Sequence, residues 1–199
     1  IEKYYNGVIE QVAGGIGNVE HNSILVRYSN DFSIWDLESV NHYKDQTDIF
    51  FTCHEFSYNK IAEAYEPYLG LIRQMFHKYC SGTLEEFMEE CDVYKLQRPV
   101  FESYFEKGFC ERTEQILIDE VEYEQERMHS SIVTMLQKLS EICPIVIVLN
   151  RFQLASKSTM QLTNRLLQTK NKNIGIVLGV NDVQSIPEFA HEEWDAICE

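Results

Sequence analysis

Two stretches of the chain are apolar at nearly every position. Ile145-Val146-Ile147-Val148-Leu149 and residues 174–179 show no alternation with polar residues, the pattern of strands covered on both faces in a parallel sheet. Two shorter β-prone runs precede them, Ile24-Leu25-Val26-Arg27-Tyr28 and residues 48–53, the second bounded by the polar run KDQTD. The pattern predicts 24–28 and 145–149 as central strands. Between the second and third runs the period changes. Pro67 suits a first helical turn, and Leu69, Ile72, Phe76 and Tyr79 recur at three- and four-residue steps. Leu84, Phe87, Met88 and Cys91 repeat that spacing, and Pro99 opens a further short helix.

A long helix is predicted over about 111–142, with Met128, Ile132, Met135, Leu136 and Leu139 on one side and Pro144 as its stop. Shorter helices are expected over 1–11 and 34–43, and Ser158 is the expected cap of a helix carrying Leu162, Leu166 and Leu167. The order β-α-β, helical insertion at about 67–110, β-α-β predicts an α/β fold: a parallel sheet flanked by helices, in one domain spanning 1–199. The insertion is rich in rings (Phe76, Tyr79, Phe87, Tyr94, Phe101, Tyr104, Phe105, Phe109), more than a few short helices need. Most are expected to pack internally, with a surplus patch to dock a neighbouring domain.

Charge narrows the function classes. Seventeen Lys plus Arg against 32 Asp plus Glu give a net charge of −15, and no basic run offsets it. Such a surface repels phosphate backbones, so direct binding to nucleic acid or an anionic membrane is disfavoured. No apolar run reaches bilayer-spanning length, and no signal peptide is visible. The six cysteines form no C-x-x-C pair, and Cys53 and Cys143 lie in apolar surroundings, the usage of free thiols in a reducing, cytoplasmic setting. The first residue is not Met, and the chain is expected to be a fragment of a longer protein.

Three segments together resemble a known family. From Cys53 onward, Tyr65, Pro67, Tyr68, Leu71, Ile72, Arg73 and Met75 are similar to a tyrosine–proline helix of the signal-transduction ATPases with numerous domains (STAND), a branch of P-loop NTPases related to AAA proteins. The stretch SEICPIVIVLNRFQLASKSTMQLTNRLL resembles the family's Walker B strand and following helix. IGIVLGVND resembles the strand whose polar end senses the γ-phosphate, here at Asn181. The resemblance spans about 23–187 and implies a P-loop NTPase-like domain of a multidomain signalling protein.

The family's chemistry does not survive in these residues. A working Walker A loop, G-x-x-x-x-G-K-S/T, closes backbone N–H groups around phosphates, neutralises them with Lys and holds Mg²⁺ with its hydroxyl. The resemblance places it after ILVRY, where Asn30 and Ser33 replace glycines, Trp35 brings an indole into phosphate space, Asp36 replaces Lys and Leu37 replaces the hydroxyl. A carboxylate about 4 Å from a phosphate costs roughly 4 kcal/mol at an effective dielectric of ~20, where Lys would gain as much. In Walker B, the paired acids fall on Asn150 and Arg151. Both motifs are degenerate, and no catalytic residue, metal ligand or cofactor is expected.

Other features carry less. Ala13-Gly14-Gly15-Ile16-Gly17 lacks Lys and precedes a strand, so it is expected to be a surface loop. Acids at Asp119, Glu120, Glu122, Glu124 and Glu126 point around a helix and read as a solvated face. The six histidines show no H-x-x-x-H spacing, and Cys53 and His54 point to opposite faces of a strand. The expectation is a non-catalytic regulatory domain acting on neighbouring domains of its own chain or on a protein partner. The alternatives are an ATP-binding switch with an atypical site, favoured by bound nucleotide in purified protein, and an interaction scaffold without switching.

Overall fold

The unbroken apolar runs become the two innermost strands. In the computed structural model, which describes residues 1–17, 23–29, 32–60, 62, 64–107, 121–182 and 191–198, β1 (Ser23–Tyr28), β2 (Phe50–Glu55), β3 (Ile145–Asn150) and β4 (Ile174–Asn181) form one sheet in the order β1-β4-β3-β2. All three pairings are parallel. Every residue of β3 and β4 is buried, as two-sided cover requires. The α/β class with a parallel sheet is therefore what the molecule has.

β1 departs from expectation, being an edge rather than a centre among the described strands. Its burial is correspondingly broken, with Ser23 and Arg27 exposed and Val26 and Tyr28 buried. β2 lies two residues later than its β-propensity suggests. Pairing with β3 sets its ends, Phe50 opposite Ile145 and Glu55 opposite Asn150.

The chain divides into two compact units, Ile1–Glu66 with Ser140–Glu199, and Pro67–Leu139. In the first, α1 (Glu2–Gly14) packs on the sheet beside α2 (Glu38–Lys44), and α7 (Lys157–Gln168) packs against α8 (His191–Cys198). α1 runs past the expected residue 11, so Gly14 of the glycine cluster closes a helix instead of starting a loop. Tyr5, Val8, Ile9 and Val12 of α1 share one core with Val26, Val146, Val148 and Val177. Ser156, not Ser158, caps α7 by accepting from the Thr159 N–H at 3.2 Å. The helix expected over 34–43 is split: Ile34–Asp36 form a 3-10 turn, and Leu37 is extended before α2 begins. That break drops Leu37 fully into the core.

The second unit holds α3 (Tyr68–Tyr79), α4 (Leu84–Glu90), α5 (Arg98–Lys107) and most of α6 (Val121–Ile142). Pro67 sits at the N-cap of α3, and Thr83 with Glu86 forms a capping box on α4. The Phe76 ring lies 5.3 Å from Phe87 and 5.5 Å from Phe105. Phe101 is fully buried, Tyr79 and Tyr104 are half-buried, and Tyr94 is exposed beneath the Arg127 guanidinium at 4.1 Å. Phe109, the start of the predicted long helix, 111–120, and with it Asp119 and Glu120 of the acidic run lie outside the described residues. Among the described residues no helix is long and apolar enough to cross a membrane.

Candidate functional site

Open parallel sheets bind ligands outside the carboxyl ends of their strands. Here those ends carry Tyr28, Asn181, Asn150 and Glu55. Alternation and register put all four on the face covered by α1, with Tyr28 opposite Asn181 and Glu55 opposite Asn150. Three of the positions singled out from the sequence, Asn150, Arg151 and Asn181, thus lie at one sheet edge, with Ser33 brought to them by the loop after β1.

Aromatic rings fill the space above the strand ends. Tyr5 of α1, fully buried, lies 5.2 Å from the Phe32 ring and 6.4 Å from Tyr28, which is itself 4.8 Å from Phe32. The Tyr28 hydroxyl donates to Asn150 Oδ1 at 2.7 Å. The Tyr5 hydroxyl and the Asn150 amide nitrogen are buried without a hydrogen-bond partner. Both side chains lie over Gly179, where a Cβ would fall 2.5 Å from Asn150 Oδ1 and closer still to the Tyr5 hydroxyl. Glycine is therefore required here by close approach.

Burial also sets the protonation of this face. It is the largest cause holding the Tyr5 hydroxyl far above the usual phenol range, with Tyr28, Glu55 and Cys53 adding to it. It pushes the Cys53 thiol up to about 11, against the pull of Lys44 and with Glu55 reinforcing it. Both groups stay protonated at neutral pH, so neither is a ready nucleophile or base. On the opposite face, burial lowers His54 below its ordinary value.

On the face covered by α1, one acidic side chain is nevertheless held in an ion pair. Glu55 Oε1 pairs with Arg151 Nη1 at 2.9 Å, both side chains largely buried. Its other oxygen accepts from the Ile34 N–H at 3.2 Å and from Ser33 Oγ at 3.3 Å. Ser33 Oγ in turn accepts from the Trp35 N–H at 3.4 Å, capping the 3-10 turn. Arg151 has a left-handed φ of 54° where the chain leaves β3, uncommon outside glycine.

The remaining positions sit apart. Trp35 is 48% exposed, with the Lys44 ammonium 5.8 Å from its ring centroid, so its indole stands in solvent. Asp36 is exposed and Leu37 is core. Asn181 is buried, and its N–H donates to Gln153 Oε1 at 3.4 Å. Asn30 lies outside the described residues. Residue spacing missed Tyr5 and Glu55. An isolated glycine in a buried strand was the available signal for Tyr5. For Glu55 the signal was an acid ending a strand whose neighbour is followed at once by Arg151.

Among the described residues no three His, Cys, Asp or Glu side chains converge so as to hold a metal ion. Comparison with protein-family models, curated proteins and solved structures finds no match to this chain.

Proposed function

We propose that this chain is a non-catalytic regulatory domain of a cytosolic multidomain signalling protein, an ATPase core of the STAND kind whose nucleotide site has been lost. It works by docking neighbouring domains of its own chain or a protein partner. The observation that carries this reading is the filled crevice at the strand ends. Tyr5, Tyr28 and Phe32 occupy its volume, and the Glu55 carboxylate already takes up donors of the loop after β1. Moving a buried aromatic ring aside forfeits about 3–5 kcal/mol of packing before a nucleotide gains anything. That alone weakens binding by about two to three and a half factors of ten.

Titration calorimetry with MgATP is expected to show no binding at millimolar nucleotide, and micromolar affinity would overturn the reading. Asp36→Lys alone is expected to leave phosphate release at background, because cradling, Mg²⁺ and water orientation act as a unit. Turnover clearly above the unsubstituted protein would show an intact site. Hydrogen exchange should differ with and without the neighbouring domains, whereas a passive scaffold would give identical patterns.

A further inference from the structure

We propose that Glu55 is a built-in anion: its carboxylate occupies an oxyanion site made by Ser33, the Ile34 N–H and Arg151, and so holds the turn at Ser33 and Ile34 in a ligand-filled state. Three donors of different kinds, from two separate segments, converge on one carboxylate. The guanidinium takes Oε1 at 2.9 Å, while the backbone N–H and the hydroxyl take Oε2 at 3.2 and 3.3 Å. A loop amide beside a hydroxyl, facing a guanidinium, suits a carboxylate and a tetrahedral oxyanion equally, since both offer charged acceptor oxygens in the same span. The enclosure is real: the Glu55 and Arg151 side chains keep only 12% and 19% of their exposure.

Tethering decides the competition. Glu55 reaches the donors from the end of β2, so its effective concentration is on the order of millimolar or higher, and free phosphate must displace it and lose the same contacts. The unsubstituted protein therefore excludes phosphate. Removing the carboxylate leaves Arg151, Ser33 and Ile34 facing a vacancy that a phosphate or sulfate ion fits. This inference does not depend on descent from an ATPase. MgATP binding by the unsubstituted protein with the Ile34 amide still held by Glu55 would overturn the preceding proposal and leave this one standing.

The experiment compares the unsubstituted protein with Glu55→Ala and with Glu55→Ala/Arg151→Ala, using inorganic phosphate and sulfate as probes. Calorimetry is expected to show phosphate binding at least tenfold tighter in Glu55→Ala than in the unsubstituted protein, and loss of that gain in the double variant. Exchange of the Ile34 amide should accelerate in Glu55→Ala and slow again on adding phosphate. A folded Glu55→Ala with unchanged phosphate affinity, or an Ile34 amide equally protected in both proteins, overturns the proposal. Should Glu55→Ala fail to fold, Glu55→Gln keeps the shape and removes the charge. Phosphate should then raise its melting temperature over chloride at equal ionic strength by more than the general salting-out advantage it shows with the unsubstituted protein. An equal phosphate-over-chloride advantage in the two proteins overturns the proposal.

Discussion

Tyr5 and Gly179 form a pair whose energetics can be worked from the structure. The Tyr5 hydroxyl is buried without a partner, and the added Cβ of Gly179→Ala would collide with it, lying also 3.1 Å from Tyr5 Cζ. The ring has little room to yield, with Phe32 at 5.2 Å and Tyr28 at 6.4 Å. Overpacking of this kind costs about 1–3 kcal/mol. The alanine recovers only about 0.4–1 kcal/mol by restricting the unfolded chain, so Gly179→Ala should destabilise by about 1–2 kcal/mol. Tyr5→Phe acts in the opposite sense. It deletes a desolvated hydroxyl that makes no bond, and should stabilise by about 1 kcal/mol. In the Phe background the closest clash of the Ala Cβ is gone, although Asn150 Oδ1 at 2.5 Å remains. The two substitutions should therefore couple by about 1 kcal/mol, well above the error of additivity between distant sites. Urea unfolding followed by circular dichroism on all four proteins, with unchanged m-values, measures the cycle. The reasoning is wrong if Tyr5→Phe destabilises the protein, or if Gly179→Ala costs the same in both backgrounds.

Two further outcomes are expected. Leu37→Thr, the change that on the proposed reading would supply a Mg²⁺-binding hydroxyl, should lower stability by about 2–4 kcal/mol because Leu37 is fully buried; an unchanged denaturation midpoint would contradict that placement. Burial raises the Glu193 carboxyl, but hydrogen bonds from Lys157, its own backbone N–H and Gln161, with the Lys157 charge, bring it below its ordinary value. The folded form thus favours the carboxylate. Its contribution is present above the unfolded value of about 4.3 and lost as pH falls through the lower folded value. In a Trp35→Phe background, emission from buried Trp194 should red-shift on acidification through that window, and Glu193→Gln should flatten the response; an identical pH profile in the variant refutes the link.

The parallel sheet was legible because β3 and β4 carry apolar residues on both faces, a property no surface element needs. The edge position of β1 was not, since which strands flank a given strand depends on crossovers that local pattern does not encode. The end of β2 was misplaced for a related reason. His54 and Glu55 are poor strand formers, yet pairing with Leu149 and Asn150 keeps them extended. Ser156 and Ser158 are both plausible caps in the string ASKST, and only the packed helix discriminates between them. The polar positions Ser33, Asn150 and Arg151 were singled out in the sequence, but their partners were not. Glu55 and Tyr5 meet them from a different strand and a different helix, at separations that periodicity cannot bridge.

Leu37 has a consequence for laboratory evolution. On the proposed reading, a selection that rewarded nucleotide turnover would need a hydroxyl at this position, but the Leu37 side chain belongs to the same core as Ile34 and Val40. The first step toward activity would therefore be a loss of foldedness with no catalytic return, since turnover requires several changes together. Such a landscape has a valley between the present sequence and any that turns nucleotide over. Crossing it would require prior stabilising substitutions elsewhere in the sheet, and Tyr5→Phe supplies one candidate for that permissive step.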